Sequence, residues 1–313
     1  MKVLHIGLMV NGRDEGLSAA FRERFTFANY REYGVSSDVA NKVGDYNPDL
    51  VFLQIQSDNI GGTPTERALG GLLERLKNDG AFIINWTGDA RNSVPSWMVR
   101  FAKYVDITAF SNERDVESFG YPSCFLQIGF DPKVFKKWET NEPSADVVFM
   151  GNDYGNQFPL GFMRRQLVME LQRYNSAIYG NYPQARKALN PDPKNPFPIQ
   201  SQESKIYNNC KIAISMSHYQ IQRYTSDRLF RCTGSGVMVL AHNYPGIEKD
   251  FKVGTHLDVF DDFRQMHEKI NHYLTHEKER KAIAKAGYEY AHKNCTYDNM
   301  VENIINIYNE NRK

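Results

Sequence analysis

The sequence predicts an α/β protein made of two Rossmann-like domains, each a parallel sheet with helices on its faces. Three observations carry this. Short apolar runs alternate with longer segments of helical period along the whole chain, the pattern of parallel strands joined by crossover helices. At 313 residues the chain is long for one core and sufficient for two. The pattern also restarts. After 131–145, which holds two prolines and several charges with little periodicity, Asp146-Val-Val-Phe-Met-Gly-Asn-Asp153 again reads as strand, glycine and polar loop. The domains are therefore read as 1–138 and 139–296, followed by a last helical segment, 297–313.

The apolar run over 3–9 is the first strand. It is too short to span a bilayer, has no basic residue before it beyond Lys2, and runs into Asn11-Gly-Arg rather than a small-residue cleavage site. No membrane span is expected, and the reading is cytoplasmic. The loop over 10–16 lies at the carboxyl end of this strand, where open α/β sheets place ligands, which makes Gly12 and Arg13 acceptor-side candidates. Apolar residues recurring through Phe21, Phe25 and Ala28 predict a helix, and a weak strand follows over 37–40. A turn and central strand occupy 47–56, and Pro64 stands in the first turn of a helix over 63–77. Asp79-Gly80 turns that helix into a strand over 81–86.

That strand ends in Asn85-Trp-Thr-Gly-Asp-Ala-Arg91. Gly88 permits a turn there, and Asp89 and Arg91 fall at the carboxyl end of a parallel strand, facing the expected inter-domain cleft. Asp89 is a candidate catalytic base or acceptor-positioning carboxylate. Its competing role is an Asx-turn that caps a helix beginning near Val94. A helix over 94–103, a strand over 106–110, a helix over 113–119 and a strand over 123–128 complete the half.

In the second half a helix over 160–174 and a strand over 176–179 lead to Gly180-Asn-Tyr182 and a five-proline loop ending at 200. A helix over 203–208 and a strand over 211–215 precede His218, which is read either as an assistant in catalysis or as a structural hydrogen-bonder. Ser226 and Asp227 are good N-cap residues for a helix over 228–233, which Gly234 can end before a buried strand over 237–241. The free N–H groups and dipole of such a helix start favour a phosphate, and Arg228 adds a charge. The same unit also occurs in proteins with no ligand there. A strand over 256–260 and helices over 262–276, 278–293 and 297–311 close the chain.

A formal net charge of +1 without a run of Lys or Arg lacks the footprint of a protein held by nucleic-acid phosphates or an anionic membrane. The four cysteines are scattered, with no close pair and no histidine at metal-ligand spacing, and no Asp-x-Asp motif is present. Buried thiols, a reducing compartment and metal-independent chemistry are expected.

The segment 207–297 resembles the C-terminal domain of GT-B glycosyltransferases, nearest the group-1 branch that includes spore-maturation-type proteins. Arg228-Leu-Phe, Gly234-Ser-Gly236, Val237-Met-Val-Leu240 and Pro245-Gly-Ile-Glu248 stand for that branch's helix, small-x-Gly step, apolar strand and Pro-Gly-x-Glu turn. The resemblance implies two domains facing across a cleft, a terminal helix returning to the first, and a nucleotide-diphosphate sugar held by the second. It puts Gly151 and Asn152 near the donor, Gly180 and Asn181 where related enzymes hold the base, and Ser226, Asp227, Arg228 and Glu248 in the donor site. Many retaining members carry two glutamates, eight residues apart, where this chain has Arg223 and Arg231. The usual carboxylate for the ribose is absent from its place, and Arg223 with Arg228 become the candidates to neutralise a diphosphate. The implied activity is hexosyl or pentosyl transfer to a hydroxyl of a carbohydrate, a protein or modified DNA, with no cofactor beyond the donor substrate. A nucleotide-sugar epimerase of the same fold, and a non-catalytic nucleotide-sugar-binding protein, are the rival readings.

Overall fold

A computed structural model describes residues 1–7, 15–30, 43, 46–54, 64–139, 143–182 and 200–312. The chain forms two units, one of residues 1–129 with 297–313 and the other of residues 130–296.

In the first unit the elements are β1 (Lys2–Gly7), α1 (Glu15–Arg24), β2 (Thr26–Tyr30), β3 (Leu50–Gln54), α2 (Pro64–Asn78), β4 (Phe82–Thr87), α3 (Ser96–Phe101), β5 (Ile107–Phe110), α4 (Glu113–Ser118) and β6 (Ser123–Phe125). The strands pair in parallel in the order β2-β1-β3-β4-β5-β6. Because successive strand residues point to opposite faces, each strand feeds two cores. Leu4, Val51 and Ile83 pack with Leu69, Leu73 and Phe101 on one face. Val3, Phe52 and Ile84 pack with Leu17 and Phe21 on the other, together with Met300, Val301 and Ile304 of the last helix, Tyr297–Asn311.

Two expectations are corrected here. The helix read through Phe25 and Ala28 stops at Arg24, and Thr26–Tyr30 is a strand in register with β1. Phe27 lies flat against Phe21, 5.5 Å between centroids, so the apolar recurrence belonged to a strand packing back on its own helix. β-branched and aromatic residues suit that pleated surface better than a helix. The helix expected from Val94 begins at Ser96, because Pro95 holds the extended N-cap conformation there. The strand expected over 37–40 lies outside the described residues.

The second unit comprises β7 (Ala145–Met150), α5 (Gly161–Leu171), β8 (Ser176–Tyr179), α6 (Gln200–Asn208), β9 (Cys210–Ser215), α7 (Asp227–Ser235), β10 (Met238–His242), β11 (Asp258–Phe260), α8 (Phe263–Thr275) and α9 (Glu277–Asn294). Its strands run parallel in the order β11-β10-β9-β7-β8. From β7 the chain steps to one side for β8 and to the other for β9. This is the reversal of winding whose strand ends open a crevice for ligands.

Residues 131–138, assigned above to the first domain, pack on the second unit, because aromatic side chains fasten them there. Phe130 bonds to Cys295 O at 3.1 Å and lies edge-on to His292, Phe135 is buried, and Trp138 Nε1 donates to Ser204 Oγ at 3.1 Å. Gly234 does not end its helix. It sits inside α7, where a Cβ would strike the Phe130 ring, and the helix ends at Gly236 in the left-handed conformation, φ 80°.

Candidate functional site

The carboxyl ends of β7 and β9 and the first turn of α7 converge on two arginines. Arg164 lies on the apolar side of α5, in one stripe with Leu167, Val168 and Leu171, and is only 1% exposed. Its Nη1 donates to Met216 O, and its Nη2 donates to Asn152 O at 3.3 Å and the Tyr182 hydroxyl at 3.4 Å. Arg228 enters from α7 and donates from Nη1 to the same Met216 O at 3.3 Å and to Ser226 Oγ at 3.2 Å. Both guanidinium groups lie over the Phe149 ring, at 5.2 and 5.6 Å. Among the described residues no carboxylate is within ion-pair distance of either. Burial, and next the charge of Arg228, pull the Arg164 pKa down to about 10, so Arg164 remains cationic at neutral pH. Two uncompensated cations in a half-dry recess are costly unless an anion joins them.

Three buried polar atoms at this place have no partner among the described residues: Arg164 Nε, Asn152 Oδ1 and His218 Nδ1. The His218 ring lies 5.1 Å from Tyr154 and 4.8 Å from Phe158. Burial first, then the charges of Arg164 and Arg228, push its pKa down to about 3, so the imidazole is neutral. Ser226 has the extended N-cap backbone, yet its side chain makes no capping bond and turns to Arg228 instead. The amides of the first turn of α7 are thus not capped by that hydroxyl.

Gly151 and Gly180 make room for this arrangement. A Cβ on Gly151 would collide with Arg164 Nη2 and come within 3.1 Å of Arg228 Nη2. Gly180, at φ 140°, lies against the Gly151 carbonyl with no space for a side chain. Asn181 ties the two loops together, accepting from Asp153 N at 2.8 Å and donating to Asp153 O at 3.3 Å.

The other expected site residues are placed as follows. Arg223, in the left-handed region at φ 51°, donates from Nε to the buried Asp250 at 3.0 Å, so its charge is met within the fold. Asp227 accepts from Arg231, whose other arm reaches Glu203 at 3.4 Å, so Arg223 and Arg231 both sit in ion pairs. Glu248 is exposed in the 3-10 turn Ile247–Lys249, entered through Gly246 at φ 87°. In the first unit Asp89 is exposed just beyond β4, with Arg91 Nη1 4.0 Å from its carboxylate. That loop is held by Ser111 Oγ donating to Gly88 O at 2.9 Å and Arg114 Nη2 donating to Arg91 O at 2.5 Å. Gly88 is required less for a turn than for space, since a Cβ there would meet the Trp86 indole at 2.7 Å. Gly12 and Arg13 lie outside the described residues.

The sequence reading missed Arg164 and Phe149. A signal for the first was present: an arginine at i in a stripe of Leu167 (i+3), Val168 (i+4) and Leu171 (i+7) is a charge where a core residue belongs.

Residues 161–306 match the family described as "Glycosyl transferase-like". A glycosyltransferase from Rickettsia africae superposes over 99% of this chain and 98% of its own, with TM-score 0.60 and 13% identity. HepE of Anabaena, in complex with UDP and glucose, covers 99% and 100% with TM-score 0.60 and 10% identity. The sucrose-phosphate synthase of Thermosynechococcus elongatus covers 99% and 98% with TM-score 0.61 and 10% identity. No curated protein matches the chain. The protein thus has the GT-B fold of glycosyltransferases, and the glycosyltransferase-like segment spans most of its second unit and the first part of the last helix. No helix among the described residues is long and apolar enough to cross a membrane.

Proposed function

We propose that the protein transfers a sugar from a nucleotide-diphosphate sugar to an acceptor hydroxyl, with the diphosphate held between Arg164 and Arg228 at the start of α7. The observation that carries this is a buried arginine beside a second arginine with no carboxylate near them among the described residues. When the bond from the anomeric carbon to the diphosphate breaks, its electron pair passes to the phosphate oxygen. Two fixed guanidinium groups and a helix start are already placed to receive that charge, without reorganisation. The positive charge comes from side chains, which supports a metal-independent reaction. The structures in complex with UDP and glucose, and with GDP-fucose, among the neighbours favour a nucleotide-linked hexose as donor.

On the acceptor side the reading assigns Asp89 and Arg91, in the fastened loop after β4, to a hydroxyl-bearing acceptor. Asp89 takes the hydroxyl proton or orients the hydroxyl. The test is a thermal-shift and calorimetric screen of UDP, GDP and other nucleoside diphosphates, followed by product analysis with and without acceptors. A ligand at a hundred times its Kd stabilises by about 2.7 kcal/mol. Absence of stabilisation by every nucleoside diphosphate would overturn the reading. Turnover of a nucleotide-sugar alone would replace transfer with epimerisation.

A further inference from the structure

Besides the Asn152 side-chain oxygen, the Arg164–Arg228 recess contains a ring that neither the packing nor the two arginines use, that of His218. His218 is anchored through its backbone, its carbonyl accepting from Leu160 N at 3.1 Å. Its ring is set between Tyr154 and Phe158. Its Nδ1 is buried with no partner among the described residues. The charged groups acting on the ring are Arg164 from α5 and Arg228 from α7, both cationic, and the Tyr154 and Phe158 faces on the β7–α5 loop carry no charge. In its Nδ1–H tautomer that nitrogen is a donor beside two donor-only side chains, and it gains no partner from either. It gains one only when an acceptor enters the recess.

We propose that His218 is a third ligand of the diphosphate, donating from Nδ1 to an oxygen that Arg164 and Arg228 also hold. This rests on the reading of the recess as a diphosphate site. It makes the site proton-linked, because the two cations that disfavour imidazolium in the free protein are neutralised when a diphosphate binds. An adjacent anion then favours the protonated ring, by about one to three pKa units. With the free imidazole titrating at about 3, the diphosphate-bound ring moves into the range of roughly 4 to 6. The bound state holds the proton more tightly than the free one. Affinity is therefore flat above the bound pKa, and it rises as pH falls from there towards the free value. His218 is neither the catalytic base nor the acid for the acceptor. It is a ligand whose charge follows that of the donor.

The test uses the full-length protein and inorganic pyrophosphate, with histidine ring signals followed by NMR and the His218 signal assigned by its absence from His218→Gln. On saturation with pyrophosphate the His218 pKa should rise by at least one unit. The affinity gain between pH 7.5 and pH 4 should be larger in the wild type than in His218→Gln, a comparison in which pyrophosphate's own titration cancels. At pH 7.5 the variant should bind about tenfold more weakly, the loss of a hydrogen bond to a charged group. If pyrophosphate binds, and Arg228→Ala abolishes that binding, but the His218 pKa and the variant's affinity are unmoved, the proposal for His218 is overturned and the arginine site stands. If pyrophosphate does not bind, or binds equally to Arg228→Ala, the diphosphate reading itself falls.

Discussion

Arg164 and Arg228 donate to the same carbonyl oxygen, that of Met216, and lie over the same face-giving ring, Phe149. Two guanidinium groups brought together on one acceptor, from positions 64 residues apart in the chain, are repulsive unless a ligand of opposite charge completes the site.

Arg228→Ala should therefore weaken nucleoside diphosphate binding by about 1.5 to 3 kcal/mol, roughly ten- to a hundredfold and more, the range for hydrogen bonds to a charged group. Arg164→Met should remove binding at least as strongly while leaving the ligand-free protein nearly as stable, since an apolar side chain in place of a buried charge is often neutral or stabilising. Calorimetry with UDP and GDP, beside melting curves of the ligand-free variants, reads both. A large drop in melting temperature with unchanged affinity would assign Arg164 to the core alone.

Alanine at the two glycines of the site should separate space for ligand from space for backbone. At Gly151 the new Cβ meets the ends of two side chains, Arg164 and Arg228, which can shift. Gly151→Ala should fold, with a melting temperature within a few degrees of wild type, and lose nucleotide affinity. At Gly180 the Cβ meets the Gly151 carbonyl, at a φ of 140° that L residues rarely adopt. Gly180→Ala should be destabilised by about 3 kcal/mol or more. Chemical denaturation of each variant, followed by a nucleotide titration, checks the pair.

Asp89→Asn addresses the acceptor side. If Asp89 is the base, turnover should fall about 10²- to 10⁴-fold with nucleotide affinity unchanged. If it only orients the acceptor, the acceptor KM should rise with a modest loss of kcat. Steady-state kinetics distinguish them, and unaltered kinetics would leave Asp89 as a surface loop residue.

His5 gives the first unit a pH dependence. Its ring is fully buried, hydrogen-bonded through Nε2 to Gln54 Oε1 at 2.7 Å, and burial pushes its pKa down to about 4 from 6.5. A histidine whose folded pKa is depressed remains neutral in the native state while the unfolded chain takes up the proton. Stability should fall as pH drops from about 6.5 to about 4 and level off below, by roughly 3 kcal/mol in all. His5→Gln should flatten that part of the profile, measured by urea unfolding at stepped pH.

Much of the fold could be read in the order of residues because strand and helix periods are local properties. The strand at Ser176–Tyr179 and the helix at Tyr297–Asn311 stand where the pattern put them. The misreadings came where a local signal serves two structures. Phe25 and Ala28 fit a helical stripe as well as the strand that Thr26–Tyr30 forms, and only pairing with β1 decides between them. Gly234 fits a helix end as well as a contact, and only the arrival of the Phe130 ring shows which.

The same division holds at the candidate site. By itself the sequence determined that a helix opening after Ser226, with Arg228 in its first turn, follows a parallel strand, because the preferences for a helix start are written in adjacent residues. Tertiary structure alone decided that Arg223 and Arg231 are matched by Asp250, and by Glu203 with Asp227, while Arg164 and Arg228 are left together. Whether a charge is satisfied depends on groups many residues away, and that distance is set by packing and not by sequence order.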